Sequence, residues 1–375
     1  MTLARPRWAV VALGVVVVVG VGAVGCKRHK PPARARVWLG RGHACSLQKT
    51  TLALECWGDN EGGQLGDRTM EARGLPAPVV SGGLGAVTDL ALGSRHTCAL
   101  SGGAVHCWGE GKRGQLGTGL TTSLSAPSIP AIGGGVPLAG VTAIAAGWDR
   151  TCALVADGVR CWGDDAPDAQ EPAGFRGPAS AVAVGLGFVC AAFADPRAVR
   201  CAGADESGQS AGKQPILPGV TVVSLTAGAK HACAVLEDGS VQCWGNNEAG
   251  QLGDGTTTNS RMPALAVGLP PSAEVRAGIG HTCARLRNNT VACWGSNASN
   301  QLANGTTKSS AKAQPIPGLH GVVELAVGGD SACVRMAEGE VRCWGANDSG
   351  QLGDGSVVAH PVPMPVKAAK VATKS

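Results

Sequence analysis

The sequence predicts an all-β fold: a seven-bladed β-propeller of about four strands per blade, closed by the C-terminal strand. Three observations predict it. Fourteen of the 15 cysteines fall into seven regularly spaced pairs. Every pair is framed by glycines at fixed offsets. The unit that carries a pair recurs at roughly 50 residues, a length that four short strands and their turns fill.

The pairs are Cys45 with Cys56, Cys98 with Cys107, Cys152 with Cys161, Cys190 with Cys201, Cys233 with Cys243, Cys283 with Cys293 and Cys333 with Cys343. Five residues before each first cysteine stands a glycine: Gly40, Gly93, Gly147, Gly185, Gly228, Gly278 and Gly328. Two residues after each second cysteine stands another: Gly58, Gly109, Gly163, Gly203, Gly245, Gly295 and Gly345. Leu54 once, and valine six times, precede the second cysteine by two, so that side chain and the cysteine share one face of a strand. The cysteines flank turns such as Ala156-Asp157 and Asp238-Gly239, which makes each pair a β-hairpin with facing cysteines. Opposed residues lie about 4.5–5.5 Å apart at Cα, within disulfide reach. Loops of this length contribute up to about 2–3 kcal/mol each. One strand is expected ahead of each hairpin, as in Val220–Leu225, and one after a glycine-rich loop, as in Pro263–Val267. The exit segment Pro361–Val366 matches the outgoing strand of other units and is expected to complete the first blade.

Composition narrows the class. The 375 residues hold 57 Gly, 22 Pro, no Tyr and only 16% charged residues, with 44% apolar residues to build a core. Fifteen cysteines are too many for a reducing compartment. A cytosolic enzyme, a coiled coil and a multi-span membrane protein are all disfavoured.

The N-terminus reads as an export signal. Arg5 and Arg7 precede an apolar run from Trp8 to Gly25. The run ends Ala23-Val24-Gly25-Cys26, which resembles the lipobox of bacterial lipoproteins, with Ala23 where leucine is usual. The resemblance implies cleavage before Cys26 and lipid on its thiol; the other reading is an uncleaved anchor with an incidental cysteine. The expected organisation is a signal peptide (1–25), a basic tether (26–36), the propeller (37–366) and a basic tail (367–375). The expected location is the cell envelope, exported and lipid-anchored. Signal, tether and tail hold ten of the 32 basic residues, so 22 remain in the body against all 27 acidic ones. A body with net charge −5 argues against a nucleic-acid partner.

The run Cys243-Trp-Gly-Asn-Asn-Glu-Ala-Gly-Gln-Leu-Gly-Asp-Gly255, with Gly228-Ala-Lys-His-Ala-Cys233 before it, resembles the repeat of the regulator of chromosome condensation family. Gly-Gln-Leu-Gly recurs at 63–66, 114–117, 250–253 and 350–353, with Asn300-Gln-Leu-Ala303 as a variant. The resemblance covers about residues 37–366 and implies a seven-bladed propeller. Units three and four depart from it. Arg150 and Phe188 replace the histidine, unit three lacks Gln-Leu-Gly, and Cys201-Ala-Gly replaces Cys-Trp-Gly. Both are expected to be shorter blades. The family's nucleotide-exchange activity does not carry over to an exported chain. Related secreted inhibitors that cap an enzyme suggest protein binding by a propeller face.

No catalytic, cofactor or metal residues are assigned. His43, His96, His231 and His281 are one per blade, too dispersed to meet on a metal, and are expected to hydrogen-bond within their own blades. Trp57, Trp108, Trp162, Trp244, Trp294 and Trp344 fit packing between blades better than an aromatic binding ring. The leading reading is a monomeric, non-catalytic scaffold that binds a protein or envelope component. Candidate contact regions are Met70–Gly85, Thr118–Val136 and Asp164–Gly177. The alternatives are an enzyme acting on envelope carbohydrate or peptide, or a secreted-type enzyme inhibitor. The acidic cluster Asp149, Asp164, Asp165 and Asp168 would serve the enzyme reading.

Overall fold

The computed structural model describes residues 34–127, 132–133, 136–210 and 215–368. Cys26, the signal, most of the tether and nearly all of the tail lie outside the described residues.

Each repeat folds into an antiparallel sheet whose strands follow chain order. Blade 1 comprises β1 (Arg34–Leu39), β2 (His43–Gln48), β3 (Leu54–Gly58) and β4 (Arg73–Pro78). Blade 2 has β5 (Val87–Leu92), β6 (His96–Ser101) and β7 (Ala104–Gly109), followed by the small hairpin β8 (Ile132–Gly133) and β9 (Val136–Pro137). Blade 3 has β10 (Ala143–Gly147), β11 (Arg150–Val155), β12 (Gly158–Gly163) and β13 (Ala166–Gln170). Blade 4 has β14 (Ala179–Val184), β15 (Phe188–Ala194) and β16 (Arg197–Gly203). Blade 5 has β17 (Val222–Ala227), β18 (His231–Leu236), β19 (Val241–Gly245) and β20 (Ser260–Leu265). Blade 6 has β21 (Ser272–Ala277), β22 (His281–Leu286), β23 (Val291–Gly295) and β24 (Ser310–Pro315). Blade 7 has β25 (Val322–Gly328), β26 (Ser331–Met336), β27 (Val341–Gly345) and β28 (His360–Pro365). The innermost strands β1, β5, β10, β14, β17, β21 and β25 touch in succession, and β25 touches β1. That is a closed ring of seven blades.

Three expectations need correction. The propeller begins at Arg34, inside the segment read as tether, because the Arg34 side chain is buried and its Nε donates to Ser46 Oγ at 2.8 Å. Arg36 belongs to β1 as well, so the propeller holds 24 basic residues against 27 acidic ones. Secondly, β28 pairs with β27 of its own blade, not with blade 1. The ring closes through loops instead: Trp57 Nε1 donates to Gln351 O at 2.9 Å and Gly355 N to Gly74 O at 2.8 Å. Thirdly, blade 3 keeps four strands. Its fourth follows directly after a two-residue turn, Asp164-Asp165, where both residues have positive φ (50° and 73°). Blades 2 and 4 are the short ones, each with a single bridge where others have a fourth strand: Gly109 to Leu124, and Val199 to Ile216.

All fourteen paired cysteines face each other in register across their hairpins, from Cys45 opposite Cys56 to Cys333 opposite Cys343. Their Cα atoms lie 4.0–4.1 Å apart. The middle strands are buried on both faces, because each blade is sandwiched between two others; β3, for example, is buried at every position. The glycine after each Cys-Trp pair breaks the ladder as a bulge. Gly245 adopts φ +105°, and a Cβ there would sit 2.5 Å from Lys230 O. The outer edges are blunted by proline, most densely in β28, where Pro361, Pro363 and Pro365 alternate.

Candidate binding face

One face of the ring carries the turns between first and second strands and the long loops between third and fourth. Backbone bonds tie the two sets together, as in Asp59 N to Gly42 O and Asn246 N to Lys230 O, both 2.8 Å. The long loops are built by two side chains. Buried Asn60, Asn247, Asn297 and Asn347 turn inward, each accepting from the backbone of the loop leucine and donating through Nδ2 to carbonyl and side-chain oxygens further on. The glutamine of Gln-Leu-Gly caps the backbone two residues before it, as Gln251 does at Ala249 N (2.9 Å).

The same glutamine supplies the joint to the next blade. Its carbonyl accepts from the following tryptophan: Trp108 to Gln64, Trp162 to Gln115, Trp244 to Gln209, Trp294 to Gln251 and Trp344 to Gln301, at 2.9–3.1 Å. The tryptophans are interblade posts, as their spacing suggested. The histidines also bond across blades, contrary to expectation. His43, His96 and His231 reach Thr97, Thr151 and Thr282 of the following blade at 2.8–2.9 Å. Thr97 Oγ1 donates onward to Gln64 O, so His43 must donate from Nε2, and its Nδ1 is left bare. Burial pushes His43, His96 and His281 down to about 3 and His231 to about 4. Each ring packs on the glycine three residues before it. A Cβ on Gly93 would lie 2.2 Å from His96 Cε1, which explains the fixed glycine.

The junction between blades 3 and 4 departs from this pattern. Among the described residues, no tryptophan–glutamine, histidine–threonine or ion-pair contact crosses it. Unit three lacks the glutamine and unit four lacks the tryptophan, so both partners are missing at the same joint. Phe175 and Phe193, two of the three phenylalanines of the chain, fill it instead. Phe175 meets Phe193 edge-on at 6.0 Å between centroids, within a cluster that includes Leu154, Val184 and Val189. Phe188 occupies the histidine place, against Gly185. Exchanging both hydrogen-bond partners for apolar packing is nearly neutral in energy. The departures therefore form one coordinated change.

Inside the ring the innermost strands enclose a channel of about 470 Å³, lined by small residues such as Ala145, Ala183, Ala227 and Ala277. At its mouth on the loop face, the residue after a framing glycine bonds to its counterpart in the next blade at several joints, as in Ser94 N to Trp148 O, Leu186 N to Ala229 O and Ile279 N to Gly329 O. Three of the seven rim residues, Ser94, Ala229 and Gly329, are small. Trp148 is not. It holds φ +53°, costly for a bulky side chain, and the Arg41 guanidinium stacks 4.9 Å from its ring. Leu186, 38% exposed, and Ile279 stand on the same rim. Asp330 follows Gly329; burial raises its pKa, although Gln301 Nε2 donates to it at 3.1 Å.

The sequence-level candidates fare unevenly. Asp149 and Asp165 are bound by Arg113, at 3.3 and 2.8 Å, and Asp164 by Arg150 at 3.0 Å. These carboxylates join and brace blades; the side chain of Asp168 lies outside the described ones. Of the proposed contact regions, Met70–Gly85 holds β4, and Asp164–Gly177 holds β13 and the buried Phe175. Only Thr118–Val136 stays largely irregular, and part of it lies outside the described residues. Trp148, Arg41, Leu186 and Ile279 escaped notice. The signal was present: Trp148 is a tryptophan outside every Cys-Trp-Gly, at a place where the six other units carry no aromatic residue.

Comparison with known proteins agrees with this architecture. The family model for the RCC1-like domain matches residues 27–374. Human HERC2, an E3 ubiquitin-protein ligase, is 28% identical over 251 residues, covering 61% of this chain but 5% of HERC2. The ultraviolet-B receptor UVR8 of Arabidopsis thaliana is 28% identical over 238 residues, covering 62% of this chain and 46% of the receptor. The chain thus spans less than half the length of these relatives. Among solved structures, Prp20p of Saccharomyces cerevisiae superposes with a TM-score of 0.74 at 18% identity, covering 86% of this chain and 87% of that one. Human WBSCR16 gives 0.70 at 21% identity, covering 83% and 92%. These likenesses concern the fold. The chain belongs to the RCC1-like domain family.

Proposed function

We propose that this protein is an exported, lipid-anchored, non-catalytic scaffold that binds a protein or envelope component through the loop-face mouth of its channel. In this reading residues 1–25 are a signal, Cys26 carries the lipid and residues 26–33 form the tether. The observation that carries the binding site is Trp148, a bulky residue at positive φ on an open rim, stacked by Arg41, with Leu186 and Ile279 elsewhere on the same rim. Aromatic and arginine anchors of this kind dominate protein interfaces. Backbone strain persists at binding sites because function holds it there. The relatives lend support: the yeast Prp20p structure is described with binding to Gsp1p and histones, and another shows it bound to Kap60. Seven disulfides fit an oxidising compartment, and a moss receptor-kinase ectodomain shares the fold with a TM-score of 0.57. Against the enzyme reading, three carboxylates of its acid cluster, Asp149, Asp164 and Asp165, are paired with Arg113 and Arg150.

The test is site-specific photocrosslinking in living cells. A crosslinking residue at Leu186 or Ile279 is expected to capture one discrete partner. The same residue at Ser240, on the opposite face, is expected to capture none of it. A partner taken from Ser240 alone contradicts the assignment.

A further inference from the structure

Both ends of the propeller leave beside one hairpin turn, on the face opposite the Trp148 mouth. Arg34, where β1 begins, donates its backbone N–H to Gly339 O at 2.8 Å in the turn of blade 7. Val366, just past β28, donates to Val341 O beyond that turn at 2.9 Å. Arg34 also stands in register with Gln48, so the equivalent turn of blade 1 lies against the root of the tether. That turn exposes Lys49, and it exposes Leu52 at 61%. An apolar side chain beside a lysine at a turn tip suits the boundary between water and lipid.

Charge on the two flanks points the same way and favours seating at the blade 1 side of this face, since the turns of blades 3, 4 and 5 expose Asp157, Asp195, Glu237 and Asp238. Lys27, Arg28 and Lys30 lie on the N-terminal flank and Lys367, Lys370 and Lys374 on the C-terminal one, and neither flank holds an acidic residue. The turn of blade 7 does carry Glu338 and Glu340, of which Glu340 is paired with Arg342 at 3.0 Å. The eight residues from Cys26 to Arg34 span at most about 29 Å. Within a Debye length of an anionic surface, about 10 Å, each added basic residue strengthens attachment about five-fold.

We infer, resting on the anchored reading above, that this turn face seats on an anionic lipid bilayer. Leu52 and Lys49 make the contact, the flanking basic residues hold it, and the Trp148 mouth points away from the membrane towards its partner.

The experiment uses the full-length protein purified from cells and reconstituted into phosphatidylcholine–phosphatidylglycerol vesicles that contain a photoactivatable lipid. Adducts are expected in residues 48–53 and 337–342 and absent from loop 246–250. A Lys49→Gln, Leu52→Asn variant, whose Asn tolerates the positive φ at that position, should lose adducts in its own turn about five-fold. Its unfolding midpoint reports whether it still folds. Adducts on loop 246–250, or none on the propeller while Cys26 carries lipid by intact mass, overturn the seating and leave the anchor standing. A Cys26 without lipid in cells overturns the anchored reading and the seating with it.

Discussion

Trp57 and Gln351 are 294 residues apart in sequence, and the Trp57 indole donates to the Gln351 carbonyl at 2.9 Å. This bond is the last of a repeated series and joins blade 7 to blade 1. Its site differs from the joint between blades 1 and 2 in one respect. At the joint between blades 1 and 2, Gln64 O accepts from Thr97 as well as from Trp108. At the closing joint Ala44 stands where Thr97 does, so no hydroxyl supports the bond.

A pair of substitutions follows. Trp57→Phe keeps most of the ring volume and strands a buried carbonyl, which costs about 1–3 kcal/mol. Trp108→Phe leaves Thr97 still donating to Gln64 and should cost about half as much. Denaturant unfolding of the two variants checks the order; equal losses would remove the role assigned to Thr97.

The buried histidines give the fold an acid limit. Their folded values of about 3 to 4 lie below the ordinary 6.5, so the unfolded chain takes up protons first as pH falls. Stability is full above about pH 6.5 and is lost progressively towards pH 3, by up to about 1.4 kcal/mol per pH unit for each histidine. His281 is the informative one, because Ala332 stands where its threonine would be and neither ring nitrogen has a partner. His281→Phe, which copies Phe188, should barely change stability at pH 7.5 and should flatten the acid slope by about a quarter. Unfolding midpoints between pH 4 and pH 8 measure both, at roughly half-unit steps.

The phenylalanine joint should depend chiefly on packing, since the Arg200 bond to Gly174 O that crosses it is exposed. Phe175→Ala removes a fully buried ring from a junction without tryptophan–glutamine or ion-pair support and should cost about 3–5 kcal/mol. Ala202→Trp, which restores the missing tryptophan without its glutamine, should destabilise through overpacking by about 1–3 kcal/mol. Thermal unfolding of both variants tests whether units three and four changed together; a stabilising Ala202→Trp would show an ordinary joint.

The disulfides should resist reduction until the blades open. Cys45, Cys56, Cys98 and Cys107 have no exposed surface. Reductant alone should release no thiols, whereas reductant with denaturant should release fourteen and then prevent refolding, since each bridge constrains its loop by up to about 2–3 kcal/mol. Thiol titration over a denaturant series is the measurement.

Much of this architecture was legible in the residues. The seven hairpins and the cysteine register followed from Val-x-Cys-Trp-Gly spacing, because a side-chain period of two leaves one way to oppose the sulfurs. The partners of Trp108 and His43 were not legible. They lie on neighbouring blades, and the accepting atom at Gln64 is a backbone oxygen whose position no motif reports. Closure was misjudged for a related reason. The proline-rich β28 resembles every other outer strand, and only packing decides which blade it completes. Trp148 was not legible from the repeat because it stands at a position that varies from unit to unit, from Gly329 to Arg41, so no motif marks it.

The central claim is that the Trp148 rim is where the partner binds, and Trp148→Gly tests it most directly. Glycine accepts φ +53° without strain, so stability should hold within about 1 kcal/mol of the parent. The account predicts a folded variant whose Leu186 crosslink to the partner falls at least ten-fold, a loss of the size hot-spot anchors produce. A folded Trp148→Gly protein that crosslinks its partner as well as the parent does would contradict it.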